Sequence, residues 1–202
     1  MDESILLIIL TENVWLHLGL SYLFPEVKCL HLGFSEDSSF TNELDDSNAI
    51  IAIDSLIFLK GEWKAYNSLK TLLPEVPVIW LLHNRTGKLF PRDPIKSFMI
   101  DQKKNVCSIR YAMLNVTKRS SLNWSSRNST TLILTSTERR LLTFFMAGVS
   151  VPIISRNTGM RPKNIYYYRK KIMEKMGFKQ MGFLQLVCIR NSKMLGLGDL
   201  TN

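Results

Sequence analysis

Cysteine is scarce and scattered. The 202-residue chain has three, Cys29, Cys107 and Cys188, far apart and in apolar surroundings. An odd, dispersed set excludes a disulfide framework and a cysteine-based zinc cluster. Buried free thiols are the expectation. The three histidines, His17, His31 and His83, have no metal-ligand spacing either, so no metal is expected. Long apolar runs are missing. The longest, Ile5 to Leu10, falls far short of the roughly 20 residues of a membrane helix. Asp2 and Glu3 stand where a secretory signal carries positive charge. A soluble, cytoplasmic protein with no membrane contact is expected. Gly33, Gly61 and Gly87 are isolated, so no glycine-rich phosphate loop is present. No nucleophile–base pair stands out, and the chain reads as no enzyme.

Acids are scarce in one half only. Residues 1–101 hold 14 acids and 8 bases, a balance of −6; residues 102–202 hold 3 acids and 18 bases, a balance of +15. An acidic module followed by a basic one is the natural reading. A basic half nearly free of acids suits a phosphate-rich partner.

The first half alternates short apolar strands with helices. Residues 4–10, 27–32, 49–53, 76–82 and 97–100 read as strands. Residues 13–24, 62–73 and 102–117 read as helices. The inner side of the first helix is either Val14, Leu18 and Tyr22 or Leu16, Leu20 and Leu23. Trp63, Tyr66, Leu69 and Leu73 recur at helical spacing in the second. Such alternation predicts βαβ units and a doubly wound parallel sheet, with functional groups at the C-terminal ends of its strands. Residues 118–133 are rich in Ser, Thr and Asn and read as a linker. The predicted division is therefore 1–117, a linker over 118–133, and 134–202.

The second half carries a more specific pattern. Thr135-Ser136-Thr137-Glu138 is a capping box that starts a helix. Leu141, Leu142, Phe145 and Met146 form its inner face, and Gly148 ends it. Ser150 caps a short second helix over 151–157, and Gly159 makes a turn. Pro162 opens a third helix that runs to Met176, with Gly177 beyond its end. Ile165, Ile172 and Met176 share one side of it; Lys163, Tyr167, Lys170, Lys171 and Glu174 lie mostly on the others. A fourth helix follows over about 180–192. A helix, a tight turn and a basic helix make a helix-turn-helix. Its third helix, 162–176, is placed to enter the major groove while its lysines neutralise phosphates.

At these residues the chain resembles the LuxR/FixJ-type helix-turn-helix. Leu134, Thr135 and Glu138 match the family's opening Leu-Thr and following Glu. Ala147-Gly148-Val149-Ser150 matches its Ala-x-Gly-x-Ser with one residue fewer. Ile154-Ser155 stands for its Ile-Ala, Asn164-Ile165 for Thr-Val, and Lys175-Met176-Gly177 for Lys-Leu-Gly. The match covers about a quarter of the chain. By this resemblance the base-reading positions fall on Tyr166, Tyr167 and Lys170. Ser150, Lys163, Asn164, Arg169 and Lys171 complete the DNA-facing set. Tyr168 stands at the usual histidine and Tyr166 at a usual lysine, a departure that alters the base preference. Three consecutive tyrosines cannot share one buried stripe, and Tyr168 is the one expected inward or at the domain edge. Thr158 replaces an expected Leu, which predicts a looser second helix.

The resemblance also implies a receiver-like first domain, here degenerate. Asp54, ending the AIIAI strand, stands at the phospho-acceptor position. Of the paired acids that hold a divalent cation, only Glu12 remains, beside Thr11. His83-Asn84 replace the Ser/Thr after the fourth strand. Asp101 replaces the lysine after the fifth, and Lys103 could serve there only with a register shift. The Asp54 and Glu12 pair is expected to be vestigial. Auxiliary capsule-synthesis regulators of enteric bacteria have a similar arrangement. The implied protein is a bacterial transcriptional regulator at the nucleoid, independent of phosphorylation. Its partners are double-stranded DNA, RNA polymerase, and a second subunit as homodimer or as heterodimer with a response regulator. Trp124-Ser125-Ser126-Arg127 resembles a cyclic di-GMP motif of biofilm regulators, which makes Trp124 and Arg127 candidate ligand residues. Two alternatives stand beside the main reading: a protein that titrates a partner regulator without reading DNA, and a cyclic di-GMP-responsive regulator.

Overall fold

The computed structural model describes residues 5–36, 49–83, 97–119, 134–192 and 194. They fall into two compact units, the first ending at Arg119 and the second beginning at Leu134. Trp124 and Arg127 lie outside the described residues.

The first unit is an α/β sheet of five parallel strands: β1 (Leu6–Leu10), β2 (Lys28–Leu32), β3 (Ala49–Asp54), β4 (Val78–Leu82) and β5 (Ser97–Asp101). Their order is β2-β1-β3-β4-β5. The central strands read as unbroken apolar runs because both faces of a parallel sheet are covered. Register sets Ile9 beside Ala52, and Ala52 beside Ile79. On the face holding these residues lie Leu20 of α1 (Val14–Leu23) and Met113 and Val116 of α4 (Val106–Arg119). Of the two inner sides open for α1, that of Leu16, Leu20 and Leu23 packs on the core. Elsewhere in the unit, Phe58 of α2 (Ile57–Lys60), Trp63 at the N-cap of α3 (Lys64–Leu72) and Tyr66 within it gather round Trp80 at 5.5, 6.4 and 5.9 Å between ring centroids.

Several boundaries differ from the sequence reading. Helix α2 is additional: burial of Ile57 and Phe58 forms it, and Gly61, at φ 74°, ends it. Helix α4 starts four residues late because Asp101 first makes a turn, accepting from the Lys103 amide, and Asn105 then caps the helix through the Ser108 amide. It runs on through Lys118 and Arg119, which the sequence assigns to the linker. Cys107 is exposed in its first turn, against the expectation of burial, and Cys29 is half-buried. Only Cys188 is a core thiol, and burial pushes it up to about 12.

The second unit has four helices: α5 (Ser136–Met146), α6 (Val151–Thr158), α7 (Pro162–Met176) and α8 (Met181–Arg190). The capping box is present in full at Thr135 and Glu138. The core joins Leu141, Leu142 and Phe145 to Ile154, Ile165, Ile172, Leu184 and Val187. Gln185 ties α8 to α5 by donating to the Phe145 carbonyl at 2.7 Å. Positive φ occurs at Gly148, Gly159 and Gly177, the three helix ends at which the chain must turn. Thr158 does not loosen α6. Its hydroxyl donates to the Ile154 carbonyl at 2.7 Å and accepts from the Met160 amide at 3.3 Å, carrying the helix one residue further. Among the described residues no helix is long and apolar enough to cross a membrane.

Candidate nucleic-acid interface

Helix α7 turns its apolar stripe, Ile165, Ile172, Met173 and Met176, into the four-helix core. Most positions between these are turned outward. Lys163, Asn164, Arg169 and Lys170 are exposed, and Tyr166 and Tyr167 keep 56% and 59% of their surface in solvent. Tyr168 is half-buried and meets Tyr167 edge-on, ring centroids 5.6 Å apart. The outward face thus interleaves cations with aromatic rings. The Lys171 ammonium sits 5.8 Å from the Tyr167 ring centroid, close enough for a cation–π contact that orients both groups. Tyr166, Arg169, Lys170 and Met173 line an open depression of about 240 Å³ with Lys179 and Met181. Ser150 is exposed at the N-cap position of α6, where its carbonyl, not its hydroxyl, accepts from the Ile154 amide.

One acid holds this face in place. Glu138 is fully buried. One carboxylate oxygen accepts from the Thr135 amide at 2.8 Å and from Lys175 at 2.7 Å; the other lies 3.8 Å from the Lys171 ammonium. Burial pushes its carboxyl up, but the Lys175 hydrogen bond, the Thr135 amide and hydroxyl and the Lys175 charge together bring it below the usual carboxylate value. The start of α5 is therefore locked to the last turns of α7. The sequence exposes the capping box but not this ion pair. The signal available was scarcity: Glu138 is one of three acids in the basic half.

The first unit has a different site at the C-terminal ends of β1 and β3, where the strand order reverses. Asp54 is buried there. It accepts from the Thr11 hydroxyl at 3.0 Å, the Leu56 amide at 3.1 Å and the Gln102 side-chain amide at 3.2 Å. Gln102 also donates to the Leu81 carbonyl at 3.0 Å. Glu12 faces another partner, accepting from the Phe34 amide at 2.8 Å. The arrangement does not fit a divalent cation, which needs several free oxygens. Three donors already converge on Asp54, and Glu12 is occupied elsewhere. Gln102, which follows β5 directly, is the contact that sequence reading missed. It also missed that His17 and His31, remote in sequence, stack at 4.6 Å between centroids. Burial, and then the charge of His31, push His17 below the usual histidine value.

Residues 132–184 match the family described as GerE, bacterial regulatory proteins of the luxR family. The second unit is thus a luxR-family helix-turn-helix domain. No curated protein sequence matches the chain. Among solved structures, the two-component response regulator RcsB in complex with DNA is 17% identical, with a TM-score of 0.57 over 92% of this chain and 100% of that one. RcsB from Salmonella enterica serovar Typhimurium, bound to promoter P1flhDC with a phosphomimetic, is 16% identical at TM-score 0.55, again over 92% and 100%. The same protein bound to promoter rprA is 13% identical at 0.54, over 94% and 99%. At these identities the likeness is one of fold: a five-stranded parallel sheet followed by a helical helix-turn-helix domain.

Proposed function

We propose that this protein is a bacterial transcriptional regulator of the nucleoid that reads double-stranded DNA through α7 and works without phosphorylation. The observation that carries the reading is the outward face of α7, where exposed lysines, an arginine and two exposed tyrosines stand on a helix whose other side is anchored in the core. Lys163, Lys170 and Lys171 serve phosphates. Tyr166 and Tyr167 serve base edges, offering ring contact to thymine methyls and a hydroxyl for hydrogen bonding. Asn164 and Arg169 flank them, and Ser150 supports the backbone contact. The protein acts as a dimer, with itself or with a response regulator, and so presents two α7 helices to two half-sites.

The DNA reading is tested by binding of the full chain to genomic fragments across a salt series. The expected result is a steep linear fall of log affinity with log salt, with selected fragments persisting longest. Absence of binding at any salt favours the alternative, a protein that titrates a partner regulator. Phosphorylation independence is tested by Asp54→Asn. An Asn amide can donate to the Thr11 hydroxyl while its carbonyl still accepts from Leu56 and Gln102. DNA binding and promoter output are expected to match the parent. Loss of output in a folded Asp54→Asn variant would contradict the assignment.

A further inference from the structure

Lys171 stands where two features of the second unit meet. On one side is Glu138, whose side chain is wholly buried. Its Oε2 accepts from the Thr135 amide and from Lys175. Its Oε1 has no hydrogen-bond donor, alone among the buried side-chain oxygens of the described residues. A buried acceptor without a donor is costly, and an ionised one draws the nearest cation across a medium that screens little. The Lys171 ammonium lies 3.8 Å from it, just beyond hydrogen-bond reach. On the other side is the Tyr167 ring, one turn back on α7, its centroid 5.8 Å from the same ammonium. The ammonium is thus shared between a carboxylate and a ring face. Neighbouring lysines are placed otherwise. Lys175 serves Oε2, and Lys170 keeps 80% of its side chain in solvent beside Glu174.

We infer that Lys171 is a positioning residue for base recognition: the buried Glu138 carboxylate holds its ammonium against Tyr167 and so fixes the direction in which the tyrosine presents its hydroxyl to DNA. The inference rests on the reading that α7 enters the major groove, and it names what sets the preference of one reading side chain. Beside its part in phosphate contact, Lys171 thereby gains a second task. A tyrosine on a helix has two χ1 wells open to it. Tyr167 is 59% exposed, and two neighbours bound its ring. Lys171 lies over its face, and the half-buried Tyr168 meets it edge-on, at 5.6 Å and 72°. A lysine alone is a poor clamp, because its four-carbon stem moves freely. Drawn to a carboxylate that has no exposure to solvent, it is anchored. A ring fixed before binding loses less freedom on meeting a base. A fixed hydroxyl also distinguishes donor and acceptor patterns on base edges that a mobile one would blur.

Two measurements on the full chain test this, with the parent, Lys171→Gln, Lys171→Arg and Glu138→Gln. The first needs no DNA: scalar couplings of isotopically labelled Tyr167 report its χ1 rotamer by nuclear magnetic resonance. One dominant rotamer is expected in the parent and in Lys171→Arg, whose guanidinium can meet both carboxylate and ring. Mixed rotamers are expected in Lys171→Gln and, to a lesser degree, in Glu138→Gln. The second is the ratio of affinities for operators that differ at the position where Tyr167→Ala relaxes preference. Lys171→Gln is expected to reduce that ratio about threefold to tenfold, and Lys171→Arg to restore it. In a Tyr167→Ala background Lys171→Gln is expected to leave the ratio as it is. Loss of a phosphate contact or of stability weakens all operators alike and does not move the ratio. A Tyr167 rotamer indifferent to Lys171→Gln, or an unchanged ratio, overturns the inference. If the parent binds no operator, the DNA reading fails instead, and the rotamer measurement by itself still confirms or overturns the clamp.

Discussion

Glu138→Ala is expected to destabilise the helix-turn-helix unit more than any other single change considered, lowering its melting temperature by several degrees or more. The substitution removes three things together. The return hydrogen bond of the capping box goes, leaving the Thr135 amide without its 2.8 Å acceptor. The link from α5 to Lys175 on α7 goes. A buried side chain is replaced by a partial void. Loss of a cap costs about 1 kcal/mol, and breaking a buried ion pair costs roughly 3–5 kcal/mol when the orphaned charge stays buried. The lysines here keep 33% and 41% of their side chains in solvent and recover hydration, so the pair term is smaller. A total of about 2–4 kcal/mol is expected, a large share of the stability of a unit this small. Glu138→Gln preserves the capping box and costs less, about 1–2 kcal/mol. The pH dependence follows in sign. The folded carboxyl titrates below its ordinary value of 4.5, so its contribution is complete above that pH and is lost as pH falls through the lower folded value. Thermal melts followed by circular dichroism at neutral and acid pH check both points. The acid sensitivity of the parent should be reduced in Glu138→Gln.

Tyr167→Ala and Lys170→Ala are expected to fold as the parent does and to lose selective DNA binding. Both side chains are exposed, and the Lys170–Glu174 pair, at 3.8 Å and largely in solvent, contributes little to stability. A side chain reading a base edge accounts for about 1–3 kcal/mol of discrimination, so Tyr167→Ala should relax preference at one operator position by roughly tenfold to a hundredfold. The same change releases Lys171 from its ring contact and should modestly weaken all sequences. Lys170→Ala divides two roles. A phosphate contact weakens every sequence alike and lowers the salt slope by about one; a base contact alters preference and leaves the slope nearly unchanged. Titrations of both variants against matched and mutated operators separate these outcomes. Parental affinity and preference in both would contradict the assignment of α7.

The two units differ in how openly the sequence declares them. Strands such as AIIAI and VIWLL are legible because a parallel strand covered on both faces needs no polar position. The helix-turn-helix is legible because its ends require particular residues: Thr135 and Glu138 for orphan amides, and Gly148, Gly159 and Gly177 for left-handed turns. The outward placement of Tyr167 follows from helical spacing, and that of Tyr166 from the family resemblance. Long-range partners were not legible. Nothing local indicates that Gln102 reaches Asp54 across 48 positions, that Lys175 meets Glu138, or that His17 stacks on His31. Thr158 misled because its hydroxyl was read as a lost apolar contact, whereas it supplies a helix-end hydrogen bond. Helix α2 was missed because four residues are too few for a periodic signal. Cys107 was misread because an apolar neighbourhood in sequence, beginning with Val106, is itself exposed on α4.

The most direct measurement is chromatin immunoprecipitation of the full chain beside its Tyr167→Ala variant. Discrete genomic peaks in the parent, with a shared two-fold motif, that vanish in a variant of equal abundance are the result predicted for a regulator reading DNA through α7. Peaks unchanged by Tyr167→Ala, or no peaks for either protein, would contradict it.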